Sequence, residues 1–198
     1  MTAPWPPDVT LRGEHATLEL LSPSHREALA KAARDGELWK LWFTSVPAPE
    51  EMAGEIDRRL ALRAQGSMLP FAVLDGVGGR LVGMTTYMNI DTVNRRLEIG
   101  STWYRASLQR TALNTECKLM LLRHAFETLD CIAVEFRTHF FNHASRRAIE
   151  RLGAKLDGVL RSHAVGRAGE LRDTCVYSII ADEWPAVRRN LEWRLSRA

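Results

Sequence analysis

Backbone amides at a predicted helix start could bind an anion, and this stretch is the most informative one in the sequence. It follows a predicted strand and consists of Gln109, Arg110, Thr111, Ala112, Leu113, Asn114 and Thr115. The first N–H groups of a helix lack intrahelical partners and carry the positive end of the helix dipole. Arg110 adds a full charge. An anion site is one interpretation; the other is that Asn114 or Thr115 only caps the helix and Arg110 is solvated.

The second predicted helix start has the sequence Asn142-His143-Ala144-Ser145. Asn142 is a good N-cap, and capping alone would explain its presence. Capping does not explain Ser145, which follows one turn later near the same helix end. Its hydroxyl could face whatever occupies the gap between the two helix starts.

A candidate general base, Glu98, lies in a strand predicted at 96–104, near the centre of the sheet. Burial there would raise the pKa of the carboxyl group toward the range that is useful for proton abstraction. The alternative is a carboxylate at the sheet margin that pairs with Arg95 or Arg96.

The hydrophobic pattern predicts the elements that position these residues. Strands are predicted at 17–21, 70–75, 80–90, 96–104, 132–138, 155–165 and 171–180, and helices at 22–34, 49–65, 115–129, 142–152 and 183–195. The sequence therefore predicts one domain over residues 1–198, of the α/β or α+β class, with a mixed, mostly antiparallel sheet of about seven strands flanked by helices. Residues 1–9 are predicted to be a tail, and residues 182–198 to hold the C-terminal helix.

Composition narrows the class of protein, with 45% hydrophobic and 26% charged residues. No segment approaches the roughly 18 to 20 consecutive apolar residues of a membrane-spanning helix, and the N-terminus does not resemble a signal peptide. We therefore expect a cytoplasmic protein without membrane association. Cys117, Cys131 and Cys175 are far apart and form no C-x-x-C pair, so we expect reduced thiols and no metal site.

The whole chain has a net charge of +3, and its basic residues are concentrated in one part. Residues 137–167 contain seven basic side chains and two acidic ones. This excess makes a ribosome-binding or RNA-binding module an alternative function. We do not expect a nucleic-acid partner, because the sequence has no helix-turn-helix, no aromatic stacking motif and no zinc-ligand spacing.

Several of these motifs occur together in the order of a known family. They are Glu98-Ile99-Gly100, the loop from Gln109, Asn142-x-x-Ser145, Arg151-Leu152-Gly153-Ala154, Arg161 and Arg172-Asp173-Thr174-x-x-Tyr177-Ser178. From about residue 10 to 180, the chain resembles the GNAT superfamily of N-acetyltransferases, and more narrowly its RimJ/RimL branch. The loop departs from the family pattern Q/R-x-x-G-x-G/A, because Ala112 and Asn114 stand where small glycines are expected.

The resemblance implies a sheet that splays between its fourth and fifth strands and holds acetyl-CoA as co-substrate, without a metal. It places the pyrophosphate on the amides of 110–115 and the pantetheine along the backbone of Trp103 and Tyr104, with Asn142 on a pantetheine amide. Glu98 would act as the base, directly or through water, and Ser145 would hydrogen-bond or protonate the departing thiolate.

The resemblance does not identify the amine acceptor. The aromatic segment with Trp39, Trp42 and Phe43, together with His163, is the predicted acceptor site, although packing beneath the first two helices is the alternative for the aromatic segment. A protein N-terminus, a polyamine, an amino sugar and a small amino acid derivative all remain open as acceptors. A non-catalytic CoA-binding sensor on the same fold is a further alternative. Family likeness favours a homodimer, in which the C-terminal helix would bury its apolar face against a partner; packing of that helix on its own sheet is the alternative.

Overall fold

The computed structural model describes residues 5–197, which form one eight-stranded sheet with helices on both faces. The strands are β1 (Leu11–Arg12), β2 (Ala16–Leu20), β3 (Met68–Asp75), β4 (Leu81–Asp91), β5 (Arg96–Tyr104), β6 (Ala133–His139), β7 (Lys155–Val165) and β8 (Leu171–Ile180). Their order across the sheet is β1-β2-β3-β4-β5-β6-β8-β7. The strand that the sequence did not predict is β1, because two residues are too short to show alternation.

The helices are α1 (Arg26–Ala33), α2 (Met52–Ala64), α3 (Ala112–Arg123), α4 (His143–Leu152) and α5 (Trp184–Leu195). A π-helical segment, His124–Thr128, continues α3. The predicted start of α3 at 115 was three residues too late, so Ala112 to Thr115 form its first turn and not a loop. Judged by length and hydropathy, no helix within residues 5–197 qualifies as a membrane span.

Two apolar cores lie on opposite faces of the sheet. The larger one packs against α3, α4 and α5 and includes Leu97 and Ile99 of β5. The smaller one packs against α1 and α2 and includes Trp103. Because neighbouring side chains on a strand point to opposite faces, Glu98 points to the face that carries α1 and α2.

Both ends of the described chain pack onto the larger core. Trp5 and Val9 contact the larger core, so residues 5–9 are not the free tail that was predicted, and residues 1–4 lie outside the described part. Trp184, Val187 and Leu191 of α5 are buried within the same chain. The apolar face of α5 is therefore already covered, and the homodimer stays a prediction.

The parallel pair β5–β6 opens after only three residue pairs. These pairs are Arg96–Ala133, Leu97–Val134 and Glu98–Glu135, whereas all the other neighbouring strands are antiparallel. Further along β5, Ser101 and Thr102 lie opposite the single residue Thr85 of β4, and Ser101 has a φ of 47°. Such a bulge bends a strand and increases its twist. The expected split between the fourth and fifth of the seven predicted strands is thus confirmed.

Glu116 anchors the N-terminal hairpin to α3. Its buried carboxylate accepts hydrogen bonds from the backbone N–H groups of Glu14 (2.9 Å), His15 (2.6 Å) and Ala16 (2.8 Å). A Cβ at Gly13 would lie 2.4 Å from the same carboxylate, so the lack of a side chain at Gly13 leaves room for this close approach. These contacts fix the start of α3 relative to β2.

We expect Glu116→Ala to lower the free energy of unfolding by about 2–4 kcal/mol, because three backbone donors lose a charged acceptor. Urea unfolding measures the loss. The matched control is Glu27→Ala, since Glu27 is exposed and lies in the first turn of α1, nearer a helix start than Glu116 is. Glu27→Ala should lower the free energy of unfolding by no more than about 1 kcal/mol, the size of a helix-dipole effect. Equal losses in the two variants would contradict the anchoring role.

Candidate active site

Glu98 is buried on the face that carries α1 and α2, with an exposed fraction of only 4%. Its Oε2 accepts a hydrogen bond from Nδ2 of Asn89 (2.7 Å) and lies 3.6 Å from Nε of Arg137. Burial raises the pKa of Glu98 above its ordinary value, although the Asn89 hydrogen bond and the charge of Arg137 oppose this, and the charge of Glu135 adds to it. A buried carboxylate with a raised pKa suits a general base.

The alternative interpretation, that Glu98 pairs with Arg95 or Arg96 at a sheet margin, is wrong. Arg95 forms an ion pair with Asp130, and Nη2 of Arg96 donates to Oε1 of Glu135 at 2.6 Å. Arg96 faces β6 at the point where Glu135 is within reach. Arg96 of β5 thus pairs with Glu135, whereas the cation that contacts Glu98 is Arg137 of β6.

Gly100 makes room for the carboxylate of Glu98. A Cβ at Gly100 would lie 2.6 Å from Oε1 of Glu98 and 2.8 Å from the sulfur of Met88. Glu98 and Gly100 are two residues apart and share a face of β5. The carboxylate therefore leans past the last β5–β6 pair, toward the split in the sheet.

The start of α3 has no side-chain cap. Thr111 precedes the helix in an extended conformation, and its hydroxyl donates to the carbonyl of Leu108 at 2.8 Å instead of accepting from the helix. The backbone N–H groups of Ala112, Leu113 and Asn114 therefore have no capping partner from Thr111. Because Asn114 and Thr115 lie inside the helix, the interpretation of either as the N-cap is wrong.

The exposure of the residues around this helix start decides how they could contact a ligand. Gln109, Arg110 and Thr111 are exposed, and Arg110 has a φ of 65°. Leu113 is buried in the larger core, so only its backbone is available. Trp103 and Tyr104 at the end of β5 are also buried, so only their backbone is available to a ligand.

The start of α4 is fixed by Asn142. Its Oδ1 accepts a hydrogen bond from the backbone N–H of Ser145 at 3.0 Å, which confirms it as the N-cap. Arg146 donates to the hydroxyl of Tyr177 at 3.1 Å, and that hydroxyl donates to Glu150 at 2.8 Å. The half-buried Ser145 is thus held on a helix that is tied to β8.

Arg59 of α2 supports the β5 bulge from one face of the sheet. It is 2% exposed, and its guanidinium donates to the hydroxyl of Thr86 (2.6 Å) and the carbonyl of Ser101 (3.3 Å). Nε of Arg59 donates to Glu55 at 2.7 Å, which compensates the buried charge.

Lys118 of α3 supports the bulge from the opposite face. Its Nζ donates to the hydroxyl of Thr102 at 2.9 Å, and that hydroxyl lies 2.8 Å from the hydroxyl of Thr85. Burial lowers the pKa of Lys118 to about 8. Neither cation was predicted, because nothing in the local sequence distinguishes a buried Arg or Lys from a solvated one.

The predicted acceptor residues come together only in part. Trp42 is 56% exposed, so the alternative interpretation, that it packs beneath the first two helices, is wrong for this residue. Its ring lies 5.6 Å from that of Phe43 and 4.9 Å from that of His139. His163 contacts Thr174, the register partner of His139, at 3.2 Å. Trp39 is half-buried and, within the described residues, lies outside this ring cluster.

A polar cleft of about 450 Å³ opens on the side of Glu98 that contacts Asn89 and Arg137. It is lined by Asn89, Asp91, Asn94, Arg96, Leu97, Ile132, Glu135 and Arg137. The cleft lies at the paired end of β5–β6, whereas the split lies beyond Glu98. It therefore gives the partners of Glu98 access to solvent without being the split itself.

Three of the seven basic side chains in residues 137–167 form ion pairs within the chain. Arg137 pairs with Glu135 (2.9 Å), Lys155 with Glu183 (2.5 Å) and Arg161 with Asp173 (2.6 Å). These contacts do not favour a continuous nucleic-acid surface.

The three cysteines are free and buried. Burial raises the pKa of Cys117 and Cys131 to about 12, so neither thiol is poised to act as a nucleophile. Among residues 5–197, no group of three His, Cys, Asp or Glu side chains could hold a metal ion.

Known proteins share both this sequence pattern and this architecture. The family described as "Acetyltransferase (GNAT) domain" matches residues 15–155. A Bacillus subtilis (strain 168) protein named "Putative ribosomal N-acetyltransferase YdaF" is 28% identical over 186 residues, which cover 86% of this chain and 94% of the relative. A crystal structure of a GCN5-related N-acetyltransferase from Brucella melitensis is 29% identical, with coverages of 97% and 87% and a TM-score of 0.86. Mycobacterium smegmatis RimJ in complex with CoA-disulfide shares the fold at 21% identity, with coverages of 98% and 97% and a TM-score of 0.79.

We expect Arg137→Gln to raise the pKa of Glu98 further, because the charge of Arg137 favours the ionised carboxylate and its loss also leaves Glu135 less compensated. A ¹³C NMR titration of the glutamate carboxyl groups measures this shift. Arg151→Gln, on the exposed side of α4, is the control and should leave the pKa unchanged. An unchanged or lowered pKa in Arg137→Gln would show that Arg137 does not tune Glu98.

Proposed function

Because the chain belongs to the GNAT acetyltransferase family, whose members use acetyl-CoA, we propose that it acetylates a primary amine by direct attack in a ternary complex. The observation that carries this proposal is the buried carboxylate of Glu98, which leans over Gly100 toward the split between β5 and β6. A screen of amine acceptors, followed by thiol release from acetyl-CoA, tests it. Acetyl-CoA binding without turnover on any amine would favour the non-catalytic sensor instead.

The co-substrate acetyl-CoA supplies an acetyl thioester, and residues on both sides of the split fit it. The uncapped amides of 112–114 bind the pyrophosphate, and the exposed Arg110 adds charge. The backbone of Trp103 and Tyr104, beyond the bulge, pairs with the pantetheine like a short strand. Asn142 holds a pantetheine amide while its own Oδ1 caps α4.

Two side chains move protons in the proposed reaction. Glu98 accepts the proton of the acceptor amine, directly or through water, and its raised pKa keeps it basic enough near neutral pH. Asn89 and Arg137 hold its carboxylate in place. Ser145 donates a hydrogen bond or a proton to the departing thiolate.

The acceptor binds on the face of Glu98, beside Trp42 and Phe43 and near His163. A relative is named for ribosomal N-acetylation, which supports a protein N-terminus as one acceptor class to test. Small-molecule amines form the second class in the screen.

We expect Glu98→Gln to lower kcat/KM by about 100-fold or more while acetyl-CoA affinity is retained. In the wild type, kcat/KM should rise with pH as Glu98 ionises at its raised pKa. In the variant, this rise should be lost. A carboxyl group whose pKa is raised on folding destabilises the fold once it ionises, so the melting temperature of Glu98→Gln at pH 8 should be unchanged or higher. Unchanged turnover would remove Glu98 from the mechanism.

We expect Ala112→Pro to raise the Kd for acetyl-CoA by about 10-fold or more, because it deletes one amide donor to a charged group. Proline is tolerated at the first residue of a helix, and the extended Thr111 before it is compatible with proline. Calorimetry measures the affinity. Ala112→Gly keeps the amide and should bind acetyl-CoA nearly as the wild type does. Equal affinity in Ala112→Pro and Ala112→Gly would place the pyrophosphate elsewhere.

A further inference from the structure

His139 ends β6 on the same face as Glu98 and carries a buried hydrogen-bond donor. The residue is 5% exposed, and its Nδ1 accepts the backbone N–H of Phe141 at 3.1 Å. Burial, and then the charge of Arg172, lower the pKa of His139, so the neutral ring dominates near pH 7. With Nδ1 acting as an acceptor, the proton of the neutral ring lies on Nε2. Nε2 is buried without a partner in the described chain.

Aromatic rings lie around the imidazole ring of His139. The ring centroid of His139 lies 4.9 Å from that of Trp42, 6.5 Å from that of Phe43 and 5.8 Å from that of Phe141. None of these side chains offers an oxygen or nitrogen acceptor. Trp42 and Phe141 are 56% and 55% exposed, so the ring cluster is open to solvent on its outer side. A ligand that enters here meets apolar walls and one donor.

Arg172 adds a second donor nearby. Its Nε is also buried without a partner within residues 5–197. Thr174 is the register partner of His139, so Arg172, two residues along β8, shares that face. The charge of Arg172 lowers the pKa of both Glu98 and His139. Nε2 of His139 and Nε of Arg172 are thus two donors without partners on the face of Glu98, and an oxygen atom of a ligand would satisfy them.

We propose that Nε2 of His139 binds a carbonyl or carboxylate oxygen carried by the same molecule as the reacting amine, with Trp42, Phe43 and Phe141 around the group next to that oxygen. This inference rests on the proposed function and makes His139 a specificity-determining residue of the acceptor site. His139 lies four positions along β6 from Glu135, the register partner of Glu98, which corresponds to about 13 Å between their Cα atoms. The side chains of Glu98 and His139 span part of this distance, and the remaining gap fits a short extended ligand better than a small amine.

Two substitutions separate the two nitrogen atoms of His139. In His139→Asn, the amide oxygen replaces Nδ1 as the acceptor for Phe141, and the donor at Nε2 is lost. In His139→Gln, the amide nitrogen reaches the position of Nε2 and keeps a donor there. Melting temperature and acetyl-CoA affinity, measured for both variants, show whether the fold and the co-substrate site are intact.

The probes are phenethylamine, Phe-Ala amide and free phenylalanine, which differ in whether an oxygen follows the amine and whether it is charged. We expect the wild type to prefer Phe-Ala amide or phenylalanine to phenethylamine by about 10-fold in kcat/KM and in Kd, the value of one hydrogen bond. The preferred probe tells a carbonyl from a carboxylate. His139→Asn should reduce the preference to less than about 2-fold, and His139→Gln should restore most of it.

Binding of the probes tests the oxygen subsite, whereas their turnover tests the proposed reaction. Preferential binding without acetylation of any probe would support the oxygen subsite and count against the proposed reaction. Acetylation of all three probes with equal efficiency would support the reaction and overturn the subsite. Equal loss on every probe in both variants, or no binding of any probe by the wild type, would also overturn it.

Discussion

The parallel ladder between β5 and β6 stops after Glu98 pairs with Glu135, and the candidate site depends on that stop. A ladder that continued would join the two strands where an extended ligand could otherwise pair with the backbone. The bulge at Ser101 and Thr102 turns β5 away from a regular course at this level. Glu98 is therefore the last residue of β5 that has a partner on β6, and its carboxylate lies over Gly100, which has none.

The bulge is held by polar contacts from both faces, although it lies deep in the sheet. Arg59 is compensated by Glu55, whereas the hydrogen-bond partner found for Lys118 is a hydroxyl, which explains why burial lowers the pKa of Lys118 to about 8. Buried charges cost free energy that apolar residues would not cost. Their contacts with Ser101 and Thr102 fix the conformation of the bulge, so this cost is linked to the shape of the split.

Features that depend on local sequence were predictable, and those that depend on distant partners were not. The bounds of β5, β7 and β8 and the cap at Asn142 follow from alternation and capping preferences. The burial of Glu98 followed from the central position of its strand. Its partner was missed, because Arg96 reaches Glu135, and Arg137 reaches both Glu135 and Glu98, only once β5 and β6 are side by side. The contact of Glu116 with the hairpin joins residues about 100 positions apart and leaves no local signal.

The departure of the loop from the glycine pattern is explained by backbone conformation. Ala112 and Asn114 lie within the first turn of α3, where φ is negative and a Cβ is tolerated. The left-handed conformation occurs earlier, at Arg110, whose φ is 65°. A non-glycine residue is strained there, and the strain is retained only where the surroundings enforce it. Since glycine is needed for positive φ and not for the amides themselves, the missing glycines do not remove the N–H donors at the start of α3.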